Sequence, residues 1–586
     1  MAMLDRLRSY FPIFEWGSQY DKSTLRDDSI AALIVTVMLI PQSLAYALLA
    51  GLPAEVGLYA SIAPLLMYTL FGSSRTLAVG PVAVISLMTF TSVSLIAEPG
   101  TIGYLETAIA LAFLSGLIMV VMGLLKMGFI ANFLSHPVIS GFISASGILI
   151  AFSQLKHVLG ISITGHTIPE QLGSLATHIS QINGPTAIIG FGTMAFLFFV
   201  KSHLKTILTR VNFGAQGADI AVKVAPVIAI IASITATAFL LLHDDGVQIV
   251  GAIPSGLPSL SMPMLTLPLI NKLMVAAFII SLVGYVESIS VAQTLAAKRR
   301  EKINPNQELI AMGMSNVGSA FSGGFPVTGG FSRSVVNFDA GARTPAAGAL
   351  TAVGIALATL FLTPFLYYLP KATLAATIIV AVLGLVKIKP ILDTYHYSKG
   401  DFFAMAATIL LTLLVGVETG IAVGVSLSLI IFLHRTTNPH YAVVGQVGES
   451  EHFRNVKRHK VRTHPEIISI RIDGSLYFAN IRYLENAIAK LISENHKCKH
   501  FVLMASAVNF IDISALDALE NINFRLGQAG IKLHLSEVKG PVMDRLERST
   551  FLEHLTGKVF LSQSEAFHSL ITELNQKEAT EDTPAQ

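Results

Sequence analysis

Charged residues are scarce in this sequence. Asp, Glu, Lys and Arg together make up 13% of its 586 residues, against about 25% in an ordinary soluble chain, which excludes a wholly soluble fold. There is one cysteine, Cys498, so no intrachain disulfide and no multi-cysteine metal centre can form. There is one tryptophan, Trp16, in a polar lead-in (1–28) that lacks the compact apolar core and small-residue cleavage site of a signal peptide. The histidines, His136 and His157 among them, are scattered without metal-ligand spacing. The glycine-rich run at 323–330 lacks the Gly-Lys-Ser/Thr ending of a nucleotide loop. No catalysis, metal, cofactor or nucleic acid is expected, and the net charge of +3 says little by itself.

What is present in excess is apolar sequence, 52% of the chain with a mean hydropathy of +0.63, concentrated before Arg435. Windows such as Ile30–Leu49, Ala108–Leu125, Val224–Leu242, Leu273–Leu295 and Ala404–Val423 have the roughly 20-residue length that crosses a bilayer core. Fourteen candidate spans start near Ile30, Val56, Pro81, Tyr104, Phe129, Thr186, Ala218, Lys272, Pro305, Phe331, Thr344, Lys371, Asp401 and Gly420. The even-numbered connections hold most of the cations, including Arg75, Lys126, Arg210, Lys298, Arg299 and Arg343. The odd-numbered ones hold only Lys156, Lys272 and Lys371. By the positive-inside rule both termini are cytoplasmic, in a bacterial-type inner (plasma) membrane. A twelve-span count keeps the same orientation.

After Arg435 the texture changes to strand-length apolar runs alternating with helical spacing. HKVRTHPEIISIRIDG, KHFVLMASAVNF and IKLHLSEV read as strands. ANIRYLENAIAKLISEN, ISALDALENINFRLGQAG and GPVMDRLERSTFLEHL read as helices. The alternation predicts βαβ units with a partly parallel sheet over 441–575, and the polar 576–586 is expected to be a disordered tail.

Two breaks in the apolar pattern are related. IPQSLAYALLAG is followed by FGSSRTLAVGPVAVISL, and YVESISVAQTLA by FSGGFPVTGGFSRSVV. Each pair has a polar residue inside a span, Gln42 or Glu287, and a Gly/Pro-rich segment about forty residues on that opens a short apolar helix. The two pairs lie seven spans apart, an odd offset that inverts one half relative to the other, as in transporters whose broken helices bind substrate near the midplane. Small residues that only allow close helix packing are the plain alternative.

The chemistry of the breaks points to an anion. Helices opening after Gly80 and Pro81 and, past Gly330, near Phe331 or Ser332 would aim free amides, with a partial positive charge, into one cavity. Arg333 adds a full charge, matched either by a substrate anion or by a fixed ion pair with Glu287. Glu287 has two expected roles: taking up a proton as the anion binds, or staying ionised to hold Arg333. Gln42 and Tyr46, one helical turn apart, share a face and donate hydrogen bonds. Ser332 caps the helix or donates to the ligand.

GLYAS (57–61), FGSSRTLAVGPVAVISL (71–87), SHPVISGF (135–142) and GGFPVTGGFSRSVVN (323–337) resemble the SulP sulfate permease family, which includes the animal anion exchangers pendrin and prestin. The resemblance covers nearly the whole chain, because the family ends in a STAS domain. It implies a polytopic α-helical membrane protein of fourteen spans in two inverted seven-span repeats, about 29–242 and 270–435. It also implies core and gate domains, an elevator-like motion and a homodimer. It places substrate-binding residues at Gln42, Tyr46, Gly80, Pro81, Val82, Ser332 and Arg333, and the eighth-span acid at Glu287. Sodium-dependent bicarbonate carriers of the family use Asp there, so Glu287 weakens a sodium site; proton coupling, sodium coupling and exchange all stay open. NFIDISALDAL (509–519) places a phosphorylatable regulatory serine at Ser514, although Ile513 and Ala515 replace the usual small residues, and Asp512 or Ser514 also reads as a helix cap. The expected function is secondary active transport of small oxyanions, sulfate first. The alternatives are a bicarbonate or chloride carrier, a dicarboxylate carrier or a membrane anion sensor.

Overall fold

The computed structural model describes residues 10–133, 135–163, 165, 167–210, 215–254 and 256–581. The chain divides into two compact units, Met1–Ser428 and Leu429–Gln586.

In the first unit each of the fourteen candidate starts falls in or just before a helix. The helices are α1 (Lys22–Leu49), α2 (Ala54–Tyr59), α3 (Ala63–Phe71), α4 (Ala83–Val93), α5 (Ile102–Leu124), α6 (His136–Leu159), α7 (Gly184–Phe199), α8 (Ala215–Phe239), α9 (Leu267–Arg299), α10 (Pro305–Phe321), α11 (Phe331–Asp339), α12 (Ala346–Phe361), α13 (Lys371–Leu383), α14 (Lys399–Leu414) and α15 (Val417–Thr437), the last running on into the second unit. Among the described residues, eight helical segments are long and apolar enough to cross a membrane. α1 starts at Lys22, eight residues before the apolar window, because Asp21 accepts from Thr24 N at 2.8 Å and caps it.

These helices pack in two groups. α10 lies against α5 and α3, α12 against α1, and α9 against α5. α5 and α10 approach so closely that a Cβ on Gly116 would meet the Gly313 carbonyl at 2.7 Å, and one on Gly313 the Gly116 carbonyl at 2.7 Å. Small residues at such crossings let two backbones touch, the main source of helix affinity in a membrane. In the second group α6 packs on α13 and α14, and α7 on α13 and α6. α1 is the main seam, contacting α8 and α13 of the second group.

The second unit carries one six-stranded sheet. Its strands are β3 (Tyr441–Gln446), β4 (Phe453–Asn455), β5 (Ile467–Ile472), β6 (His500–Met504), β7 (Lys532–Ser536) and β8 (Val559–Phe560), in the order β4-β3-β5-β6-β7-β8. β5 to β8 are parallel, and β3 and β4 add an antiparallel edge. The parallel part follows from the crossovers through α16 (Ile481–Glu494) and α17 (Ile513–Gln528). Buried Ile470, Phe501, Leu503 and Leu533 fill its core. The final helix, α18 (Gln563–Glu581), runs six residues into the segment expected to be disordered, because Gln, Lys, Glu and Ala are good helix formers. Residues 582–586 lie outside the described residues.

Candidate functional site

Proline sets the local conformation at both breaks. Pro81 and Pro326 lack an N–H and push the residue before them out of the helical region, so the chain is extended there. The two extended segments meet. β1 (Val79–Gly80) pairs antiparallel with β2 (Thr328–Gly329), Val79 opposite Gly329 and Gly80 opposite Thr328. Gly330 N donates to Ala78 O at 3.1 Å, and Ala78 N donates to Ser334 Oγ at 2.9 Å.

Non-helical backbone among apolar helices needs its polar groups satisfied by protein, and side chains supply the partners. Asn316 brackets Val327, donating from Nδ2 to its O and accepting from its N, both at 2.9 Å. Ser288 Oγ accepts from Gly329 N at 2.9 Å. Thr328 Oγ1 donates to Gly284 O at 2.7 Å, and Asn337 Nδ2 to Thr76 O at 3.1 Å. The loop before β1 is held by the fully buried Glu308, whose carboxylate accepts from Tyr68 Oη at 2.9 Å, Ser73 N at 2.9 Å, Ser73 Oγ at 2.7 Å and Ser74 N at 3.0 Å. Reading the sequence did not single out Ser288, Glu308, Asn316 or Asn337. Their signal was a polar side chain inside an otherwise apolar window.

The ladder fixes where the helices open. α4 has Val82 at its cap position and α11 has Gly330, and no side chain caps either. Their first amides have no acceptor within the helix. Arg333, in the first turn of α11, is 2% exposed. Its Nη1 donates to Pro81 O at 2.7 Å, tying the second break to the first, while Nε and Nη2 meet no partner. The guanidinium lies against both glycines. A Cβ on Gly330 would stand 2.8 Å from Nη2, and one on Gly80 3.4 Å.

A cavity of about 340 Å³ opens at the seam between the helix groups. Gln42, Tyr46 and Ser332 line it from one side, with Lys201, Pro226 and Thr377 opposite. Lys201 is one more cation of an even-numbered connection, and nothing in the sequence places it at a cavity. It sits on a π-helical turn, Val200–Leu204, a distortion frequent at functional positions. The other candidates lie off this cavity. Gly80, Pro81, Gly330 and Arg333 are buried behind it, Val82 is partly buried and Phe331 is half exposed. Glu287 borders a separate cavity of about 20 Å³ with Val84, Phe142 and Ile421. The fixed Arg333–Glu287 ion pair is not formed, since Arg333 spends its one hydrogen bond on Pro81. No group of three His, Cys, Asp or Glu suited to a metal occurs among the described residues. In the second unit Asp512 caps α17, accepting from Ala515 N at 2.8 Å and Phe478 N at 2.9 Å, and Ser514 is exposed one residue inside that helix.

The arrangement offers N–H and O–H donors and a positive field to a small anion. The chain matches the sulfate permease family over residues 25–408 and the STAS domain over 458–566. It is 36% identical to sulfate transporter 4.1, chloroplastic, of Arabidopsis thaliana over 95% of this chain and 82% of that one. It is 32% identical to high affinity sulfate transporter 1 of Stylosanthes hamata over 96% and 86%. Among solved structures, SLC26A9 superposes with a TM-score of 0.88 at 24% identity, covering 99% of this chain and 95% of that one. The transmembrane domain of the cyanobacterium bicarbonate transporter BicA gives 0.59 at 22%, covering 69% and 98%. At those identities the likeness speaks for the fold. The chain belongs to the sulfate permease family: it is a multi-pass membrane transporter of anions, not an enzyme, with the fold of SLC26A9 and a C-terminal STAS domain.

Proposed function

We propose that the protein carries sulfate by secondary active transport. The observation that carries this is the joining of two uncapped helix N-termini by the β1–β2 ladder and the Arg333–Pro81 bond, beside a cavity lined by Gln42, Tyr46 and Ser332. Sulfate is favoured because every curated relative above acts on sulfate by name and matches over most of both chains. In this reading the anion accepts from the α4 and α11 amides and from Gln42, Tyr46 and Ser332. Arg333 supplies charge from behind the ladder.

An elevator-like motion is supported by the cavity's place at a seam between two packing groups. The antiparallel ladder suits two inverted repeats within fourteen crossings, with both termini cytoplasmic and the protein a homodimer in a plasma membrane. Glu287, in its own small apolar cavity, is the proposed proton-coupling group, and Ser514 a modification site on an exposed helix turn.

The test is uptake of labelled sulfate by proteoliposomes, under proton and sodium gradients imposed separately, with bicarbonate, chloride and a dicarboxylate as competitors. Saturable sulfate uptake driven by an inward proton gradient is expected. Flux of bicarbonate without sulfate would overturn the substrate assignment, and stimulation by sodium alone would overturn the coupling. In Glu287→Gln, sulfate exchange should persist while proton-driven accumulation is lost.

A further inference from the structure

Some cations of the C-terminal unit meet carboxylates. Arg471 meets Asp473 at 2.6 Å, Lys499 meets Glu466 at 2.7 Å, Arg525 meets Glu485 at 2.7 Å and Lys532 meets Glu573 at 3.0 Å. Arg482, Lys497, Arg548 and Lys558 have no such pair among the described residues, and one stretch gathers five more cations of this kind. Between β4 and β5 the chain reads HFRNVKRHKVRTH (452–464). Its Arg454, Lys457, Arg458, Lys460 and Arg462 are all exposed. Among the described residues none of the five has a carboxylate within ion-pair distance, whereas the domain's other pairs close to 2.6–3.9 Å. A run of like charge is most often a solvated face, so its placement has to decide.

The basic residues are held on a formed turn. Lys457 N donates to Asn455 Oδ1 at 2.8 Å, and Arg458 N and His459 N donate to Asn455 O at 3.0 and 3.1 Å. The turn lies at the end of the β3–β4 hairpin from which the chain arrives. β3 begins at Tyr441, just past the end of α15 at Thr437, and Val456 N donates to Val443 O at 3.1 Å. Six residues from Thr437 to Val443 span at most about 22 Å. Tyr477 Oη donates to Thr436 O at 3.3 Å, holding the end of α15 on the domain. The hairpin's acids, Glu449 and Glu451, sit in the tip beyond Gln446 and Phe453. Along the hairpin, positive charge lies at the end where the chain arrives from Thr437, and negative charge at the tip.

We propose that the Arg454–Lys460 turn is a docking site for anionic phospholipid headgroups of the membrane the chain itself spans. Basic clusters next to a span are drawn to the negative surface of the cytoplasmic leaflet within a Debye length or so, and the short tether keeps the turn near that surface. The inference rests on the reading that the C-terminal unit is cytoplasmic. It adds a lipid-sensitive hold on the STAS domain, read most directly as contact between this turn and phosphatidylglycerol.

The test uses the full chain carrying Cys498→Ser and His459→Cys, labelled with a fluorophore at the new thiol. It is placed in nanodiscs of phosphatidylcholine alone or of an equal mixture with phosphatidylglycerol, each containing brominated lipid as quencher. Quenching is expected in the mixed discs, weak in phosphatidylcholine and lost at high salt. It should fall roughly tenfold or more when Lys457, Arg458 and Lys460 are all changed to Gln. Equal quenching in both discs overturns the proposal. So does a response to an added oligonucleotide in phosphatidylcholine discs with none to phosphatidylglycerol, which would make the turn a nucleic-acid contact. Nanodiscs expose both faces, so this readout is independent of orientation. Protease cleavage of the hairpin in sealed, oriented vesicles separately tests whether the C-terminal unit is cytoplasmic.

Discussion

Arg333 is a charge placed where no ordinary residue would fit. Its guanidinium is buried, bonded once to Pro81 O, and pressed on Gly330 and Gly80. Gly330 has an ordinary backbone φ of −83°, so it is glycine because of the neighbour and not the turn. Gly330→Ala is therefore expected to move the guanidinium and cut sulfate uptake by roughly tenfold or more, a transition-state or binding loss of about 1–2 kcal/mol. Gly173→Ala, with nothing within 4 Å of its added methyl, should leave uptake unchanged. Parallel uptake and size-exclusion measurements on both variants check this, and wild-type flux in Gly330→Ala would remove Arg333 from the site. Glu308 is the second demanding residue. Glu308→Gln would aim an amide N–H₂ at donors that now share a carboxylate. A loss of about 1–3 kcal/mol should appear as a lower melting temperature in detergent.

At the scale of elements, much was legible and the exceptions have causes. Four of the five long apolar windows became helices, Ala404–Val423 was split at Val415 and Gly416 between α14 and α15, and the alternating region became a sheet, because hydrophobic periodicity shows the apolar stretch but not a two-residue break inside it. The breaks were legible through Pro81, Pro326 and the glycines around them. That the breaks pair with each other was not, since a ladder of two residues per strand leaves no period to read. Ser288 and Asn316 escaped notice because one hydroxyl or amide in an apolar helix looks like many others until its partner is known. In the C-terminal unit the cap at α17 was legible as Asp512 or Ser514, and geometry chose Asp512. Asp512→Ala should cost the unit about 1–2 kcal/mol, seen as an earlier transition in calorimetry of the full chain, while Ser514→Ala should not shift it. β6 and β7 carry a buried imidazole pair, His500 Nδ1 to His534 Nε2 at 3.0 Å. Lys558 N donates to His534 Nδ1 at 2.9 Å, so that nitrogen is unprotonated and Nε2–H donates to His500. Burial, with the His500 ring alongside, lowers His534 from 6.5 to about 4. As pH falls below the ordinary value the unfolded chain takes up a proton that the folded one refuses. Stability is whole above about pH 6.5 and drains between there and about pH 4, by on the order of 3 kcal/mol. His534→Gln should flatten that slope in unfolding transitions followed from neutral to acid pH.

For the whole molecule, the proposed elevator-like motion predicts sliding at the seam between the helix groups. Met38 borders the cavity from one helix group and Ala381 from the other. The single native thiol, Cys498, is buried, so Met38→Cys with Ala381→Cys gives a nearly silent background for a thiol crosslinker. Bridging the pair should arrest sulfate uptake and reductant should restore it. Full flux in the bridged protein would mean that the groups do not slide past each other.

The ladder between Val79–Gly80 and Thr328–Gly329 joins residues some 250 positions apart. On the ribosome the first break must emerge and wait, its Ala78 and Val79 groups without their mates, until the second break is made. A nascent chain shorter than that therefore lacks the ladder, and its interrupted segment is the part most in need of shelter during insertion. The same dependence means that two separately translated halves have a specific reason to find each other.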